Sequence, residues 1–402
     1  MQSVVHPICE IWYNARMETI LYFRAQTNSR AESKLAGVMD IAKKCGWHVQ
    51  IVDACPTPER IVKLIEYWSP CGAIVECGTR AGEVDVKTFG SLPVVYLDRD
   101  PDSLPKSAFC VSNDADEAVR LASKELLMTR HPSFAFIPSP GGHFWSKRRE
   151  EALIRTLQLH GKACHVFSSG AAMSDSPRYH RDLQEFLATL PKPCALLAAN
   201  DLTAADAIVA AARVGISIPY ELAIVGIDNI KTICEHTSPT LSSVEPDFRR
   251  GGELAAILLK TVLRYGRRFR GRRKITFGYL RLVRRASTRI LKNHDKEVSA
   301  AIELIAHEVC AGIGVKQVMQ CFNYSRRMAE LRFRRATGHT IMDEIHAVRL
   351  DQAKRKLSES NCILKAISDF CGFKNPNSLR KFFRKSTGMT MSEWRQTHVT
   401  HA

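Results

Sequence analysis

Three apolar runs in this sequence stop at paired polar residues. "CALLAA" is followed by Asn200 and Asp201, "LAIVGI" by Asp228 and Asn229, and "LPVVYL" by Asp98 and Arg99. A fourth run, "FAFIPS", leads into a loop holding Phe144, Trp145 and Arg149. Carboxylate, carboxamide and guanidinium groups each offer parallel acceptors or donors, which match vicinal hydroxyls. An aromatic ring covers the apolar C–H face of a sugar. Together these residues describe a pocket for a small polyol between two lobes. Singly, an Asp or Asn after a strand also reads as the N-cap of the next helix, and both readings stand for each residue.

A second cluster lies near the C-terminus. "CGFKNPNSLRKFFRKSTG" (Cys371–Gly388) interleaves Lys374, Arg380, Lys381, Arg384 and Lys385 with Phe373, Leu379, Phe382 and Phe383, and holds no acidic residue. Helical spacing gathers the core residues on one face. The cations are left facing outward, where they suit phosphates and base edges. The net charge of +17 is concentrated at this end. Residues 1–263 carry 28 basic and 30 acidic side chains, residues 264–296 carry 13 and one, and residues 297–402 carry 17 and 10. A local excess of this kind points to a polyanion, nucleic acid first. A solvated basic face that aids solubility is the alternative.

The elements that must position these residues follow from periodicity. In the neutral front, apolar runs such as "TILYF" (Thr19–Phe23), "HVQIVDA" and "GAIVEC" alternate with segments of helical period. That is the pattern of buried parallel strands and crossover helices. In an open sheet of this kind, ligands sit at the carboxyl ends of the strands. The length suits two similar lobes. From Glu297 the chain reads as all helix: a short helix, a turn, a basic helix capped by Ser325 and ended by Gly338, then one long helix. The same short helix, turn and basic helix follow, ending at Gly388. The linking helix, at about 30 Å, nearly spans the ~34 Å between successive major-groove faces. Two helix-turn-helix units on one chain could then read adjacent turns of double-stranded DNA.

The front half resembles a LacI/GalR-type sensor, on the residues "LLAANDLTAADAIVAAARVGISIPYELAIVGIDN" and "TSPTLSSVEPDFRRGGELAAILL", with "KITFGYLRLVRRAST" as its last strand. The resemblance implies a two-lobe periplasmic-binding-protein fold with parallel sheets over residues 17–288. It also implies effector contacts at Arg149, Asn200 and Asp228, with the Trp145 region packing on the ligand; Asp201 and Phe144 are candidates by their places after the strands. In the first lobe it points to Asn28 and Arg30 after the first strand, and to Asn113 and Asp114. Such sensors follow their DNA-binding helices, but here only about sixteen residues precede the first strand, so the reader is expected elsewhere. Met17 is a second plausible start.

The back half, residues 297–398, resembles an AraC-type DNA-binding domain on Gly372, Phe373, Leu379, Phe383, Gly388, Trp394, Arg395 and "VRLDQAKRKL". Residues 289–296 read as the linker. The resemblance implies DNA contacts from Ser325, Arg326, Arg327 and Glu330 in the first unit and from Asn377, Ser378, Arg380 and Lys381 in the second. There are departures. Met391 replaces a usual proline, Ala329 a usual leucine, and Leu331 stands where a polar base-reading residue is common. The pairing of the two halves resembles the XylR-type xylose-responsive activators of bacteria. That implies a homodimer, a monosaccharide effector, specific promoter DNA and contact with RNA polymerase. A repressor of the same architecture is the alternative.

Other classes find little support. No Walker loop, GxSxG elbow or HExxH site is present, so an enzyme is not expected, nor is a cofactor or metal. No apolar run approaches the ~20 residues of a membrane span. No secretory signal is evident, so an exported sugar-binding protein is disfavoured. Thirteen cysteines without a CxxC pair fit a reducing cytoplasm. The run "RYGRRFRGRRK" (Arg264–Lys274) reads as a solvated loop, or less simply as a DNA arm.

Overall fold

The computed structural model describes residues 18–53, 57–77, 85–170, 175–290, 295–359, 362–373 and 375–398. The alternative start at Met17 and the middle of the expected linker, residues 291–294, lie outside the described residues. Two compact units divide the chain. One comprises residues up to 118, 143–148 and 246–280, and the other residues 119–142, 149–245 and from 281 onward.

The first unit holds a six-stranded sheet. Its strands are β1 (Thr19–Arg24), β2 (His48–Asp53), β3 (Gly72–Glu76), β4 (Val94–Leu97), β5 (Phe109–Asn113) and β11 (Lys274–Phe277), in the order β11-β5-β4-β3-β1-β2. All of these pairings are parallel. Helix α1 (Ser29–Cys45) packs against α8 (Phe248–Tyr265) over one face of the sheet, and α2 (Pro58–Trp68) connects β2 to β3. Ile20, Tyr22, Val38, Ile74, Val95, Val111 and Leu259 form the core there. The two helices approach closely at Gly37 and Gly252. A Cβ at Gly252 would overlap the Lys34 carbonyl, and one at Gly37 the Arg249 carbonyl. Helix α3 (Ala115–Met128) starts in this unit and ends in the other.

The second unit carries the other sheet, from β6 (Ser133–Ile137), β7 (His165–Val166), β8 (Cys194–Ala198), β9 (Leu222–Ile227), β10 (Ser242–Pro246) and β12 (Tyr279–Val283), in the order β12-β10-β9-β8-β6-β7. Its principal helices are α4 (Phe144–Leu159), α5 (Pro177–Thr189) and α6 (Asp201–Arg213), with the short α7 (Lys231–Cys234). The expected single last strand is in fact two, β11 and β12, one in each sheet. The break falls at Gly278, where a Cβ would collide with the Glu117 carboxylate. An apolar run long enough for one strand conceals such a break, because both halves are pleated and half-buried.

Among the described residues, seven α-helices complete the second unit: α9 (Lys296–Glu308), α10 (Val315–Val318), α11 (Arg326–Thr337), α12 (Ile341–Glu359), α13 (Leu364–Phe370), α14 (Pro376–Thr387) and α15 (Met391–His398). They form two small cores. Val298, Ile305, Val318, Phe322, Ala329 and Phe333 make the first. Ile367, Cys371, Leu379, Phe383 and Met391 make the second. Helix α12 serves both, giving Ile341 and Ile345 to one and Ala353 and Leu357 to the other. Ser325 caps α11, accepting from the Met328 N–H, and Gly338 and Gly388 end α11 and α14 in the left-handed conformation.

Candidate effector site and nucleic-acid interface

At the carboxyl ends of the second sheet, Arg149 is almost wholly buried. Its Nη1 donates to the Ala199 carbonyl at 2.5 Å, and Nη2 lies 3.8 Å from Asp228 Oδ1. Asp228 and Asn229 have φ of 115° and 47°. Non-glycine residues hold such backbone only where surrounding contacts over-determine it. Those contacts are present. The Asn229 N–H donates to Ser243 Oγ at 3.0 Å, and Asn229 Oδ1 accepts from Arg285 Nη2 at 2.9 Å. Arg285 also donates to the Leu241 carbonyl at 2.8 Å.

Asn200 caps α6, its Oδ1 accepting from the Thr203 N–H at 2.9 Å, so the capping reading is realised at this position. Capping uses the oxygen and leaves the amide nitrogen for another partner. Asp201 lies beneath, fully buried. Its oxygens accept from Ser243 Oγ at 2.5 Å and from the Ile230 N–H at 2.6 Å, so it ties the Asp228 loop to α6. Burial, helped by the negative charge of Asp228, pushes its carboxyl up to about 7. A carboxyl with a raised folded-state pKa favours folding most when protonated. Its contribution is full below about pH 4 and is lost as pH rises through about 7. Relative to Asp201→Asn, the unaltered chain is therefore expected to lose melting temperature between those pH values. A pH-independent difference in thermal melts would contradict the assignment.

The first sheet has its own cluster at the carboxyl ends. Lys34 of α1 is buried, with Nζ 2.8 Å from Glu76 Oε1 and 2.5 Å from Asp98 Oδ2. Burial alone would lower the Lys34 ammonium; the Asp98 and Glu76 carboxylates outweigh it and hold the group above its usual value. Tyr22 Oη donates to Glu76 Oε2 at 3.4 Å. Lys34 and Glu76 escaped the sequence reading because one lies mid-helix and the other inside an apolar strand run. A charged residue embedded in "GAIVEC" was the available signal. Asn28 caps α1, accepting from the Ala31 N–H, and Asp114 accepts from the Glu117 N–H at the start of α3. Trp145 stacks on His143 with the rings 10° from parallel, and Phe144 opens α4 beside it.

On the helical half, Arg326, Arg327, Arg334 and Arg335 of α11 are exposed, as are Asn377, Ser378, Arg380, Lys381, Arg384 and Lys385 of α14. Arg380 donates to Asn377 Oδ1 at 2.8 Å, and Asn375 Oδ1 accepts from both the N–H and the hydroxyl of Ser378. Glu330 is half-buried, with its carboxylate 3.5 Å from the Ile341 N–H that opens α12. The arginine-rich run is partly tied down: Arg273 lies over the Phe109 and Phe269 rings, and Lys274 donates to the Pro101 carbonyl.

Within the second unit the sheet-bearing part packs on the helical part. Tyr220 lies against the first helical core, with Oη 3.5 Å from Ser299 Oγ, and Ser238 donates to Glu303 at 3.1 Å. Arg289 grips Glu344 of α12 at 2.7 and 3.2 Å, and His339 Nε2 lies 2.5 Å from the same carboxylate. Burial alone would raise Glu344; the Arg289 bonds outweigh it and hold the carboxyl low.

Residues 124–288 match the periplasmic binding protein-like domain family, and residues 318–397 match the helix-turn-helix domain family. The chain is 29% identical over 310 residues to the xylose operon regulatory protein of Escherichia coli (strain K12), covering 76% of this chain and 75% of that one. The chain is similar to the XylR-type transcription regulators. The regulator is also 28% identical over 252 residues to the xylose operon regulatory protein of Haemophilus influenzae, covering 62% of this chain and 65% of that one. The solved structure of a xylose-binding transcription activator, xylR, shares its fold, with a TM-score of 0.65 and 23% identity over 96% of this chain and 99% of that one. The regulator thus joins a periplasmic-binding-protein-like sensor to an AraC-type DNA-binding domain. Among the described residues no helix is long and apolar enough to cross a membrane.

Proposed function

We propose that this regulator is a sugar-responsive transcription activator of the cytoplasm, with a monosaccharide effector and no enzymatic activity. D-xylose is the sugar suggested by the names of its relatives. The observation that carries this reading is the buried Arg149 held beside Asp228, with Asn200 capping the neighbouring helix. A guanidinium, a carboxylate and a carboxamide at adjacent strand ends supply the paired donors and acceptors that ring hydroxyls require. In the first unit, Trp145 offers an aromatic face, and Phe144, Asp114 and Asn28 are the candidate contacts. On the DNA side, Ser325, Arg326, Arg327 and Glu330 serve the first unit and Asn377, Ser378, Arg380 and Lys381 the second. The sensor spans residues 17–288 and the reader 297–398, joined by residues 289–296, and the active form is a homodimer that engages RNA polymerase.

The contacts of Tyr220, Ser238 and Arg289 support a direct route from the Arg149 lobe to the reader. An effector that binds one arrangement better than another shifts the population of readers able to engage DNA. Thermal melting against a panel of pentoses and hexoses tests the sensor reading. At about a hundred times its Kd, a ligand stabilises by ~2.7 kcal/mol, so D-xylose should raise the melting temperature by several degrees. A panel with no shift from any sugar would sink the polyol site while leaving the DNA-binding half untouched.

A further inference from the structure

The two helix-turn-helix units repeat with an offset of fifty residues. Gly338 matches Gly388, Phe333 matches Phe383, Ala329 matches Leu379, and Ile341 matches Met391. In α11, Ala329, Phe333 and Ala336 are buried, and in α14, Leu379 and Phe383 are buried. At 3.6 residues per turn, the position opposite these core residues is Leu331 in α11 and Lys381 in α14. The centre of the outward face is therefore apolar in the first unit and cationic in the second.

Leu331 is 41% exposed, and Met328, one turn before it, is 45% exposed. Around them stand Arg327, Arg334 and Arg335, all exposed. A lone surface leucine is ordinary. Two long apolar side chains inside a ring of arginines, with no exposed acidic residue on that helix, are matched by one kind of partner: a polyanion carrying apolar groups at reading depth. The major groove of DNA fits, because thymine presents a C5 methyl there between flanking phosphates. Opposite a cytosine or guanine, the same leucine would desolvate base-edge donors and acceptors without replacing their hydrogen bonds.

We infer that Leu331, assisted by Met328, reads thymine methyl groups in the half-site of the first unit, whereas the second unit reads through polar and cationic side chains. This rests on the DNA-binding reading above. The two half-sites then differ in kind: one is specified by methyl contact, the other by hydrogen bonds.

The test uses the full chain with D-xylose present and duplexes selected from a random library by repeated binding. Each thymine in the selected site is replaced singly by deoxyuridine, which removes only the methyl. One or two adjacent replacements should weaken binding about three- to five-fold, the value of one buried methyl contact. In Leu331→Ala the same replacements should have no effect, while the cost of changes in the other half-site persists. Leu331→Lys should also be insensitive to them, and it keeps the test open should the alanine variant fail to fold. Thymine methyls that never matter, or that matter equally in the variants, overturn the inference. Failure to enrich any duplex removes the DNA-binding reading itself and the inference with it.

Discussion

Replacing Arg149 with methionine is expected to abolish any sugar-dependent rise in melting temperature and to lower the melting temperature of the unliganded chain. The side chain is 2% exposed, and Asp228 beside it is 7% exposed. Removing the cation leaves a carboxylate buried without its guanidinium, a change that typically costs about 3–5 kcal/mol. For a unit of this size, about 3 kcal/mol corresponds to a fall of roughly 6–12 °C. Methionine keeps most of the volume, so a cavity is not the cause. The double variant Arg149→Met with Asp228→Asn separates the two roles. Stability should partly return, because the stranded charge is gone. The sugar response should stay lost, because the donors are gone. A single variant that still shifts with sugar would remove Arg149 from the effector site.

The second large effect concerns Gly252. In a helix interior, replacing glycine with alanine normally stabilises by about 1 kcal/mol. Here the sign should reverse. A Cβ at Gly252 would overlap the Lys34 carbonyl and lie 2.7 Å from its carbon, so α1 and α8 must move apart. Overpacking of this sort costs about 1–3 kcal/mol and sometimes more. Displacing Lys34 also disturbs its bonds to Glu76 and Asp98, so the damage reaches the strand-end cluster. Gly46 is the control. It ends α1 in the left-handed conformation, with open space around a built Cβ. Alanine there should cost only about 1 kcal/mol, so it should melt well above Gly252→Ala. Equal melting temperatures for the two variants would show that the helix approach is not what requires Gly252.

Much of this arrangement is legible in the sequence because it depends on periodicity. The strand runs announce the sheets, and the residues just past them, Asn200 and Asp228, announce the strand ends. The paired readings of those residues turn out to be compatible: Asn200 is a helix cap and also lies beside Arg149's acceptor carbonyl at Ala199. What periodicity does not carry is depth. Asp201 sits one residue along from Asn200 yet faces inward, with both oxygens engaged. Lys34, Glu76 and Arg285 are polar groups drawn into the sites from mid-helix, the last residue of β3 and the segment after β12. They are set by long-range packing that no local spacing reveals. Gly278 splits one apolar run between two sheets for the same reason. In the reader, the repeated short helix, turn and basic helix are plain in the sequence, with Leu379 and Phe383 as core of the second copy. The sequence also marks Leu331 at a base-reading position, and the buried side of α11 makes it the centre of the outward face.

If a sugar governs how this chain binds DNA, the Kd of the full chain for a selected duplex, measured by fluorescence anisotropy, must differ with and without saturating D-xylose. Coupling between linked sites is commonly worth about 1–3 kcal/mol, so the Kd should fall roughly five- to 150-fold with the sugar. Arg149→Met should bind the same duplex without that change. A Kd that is identical with and without the sugar, in a chain that does bind the duplex, would contradict the account.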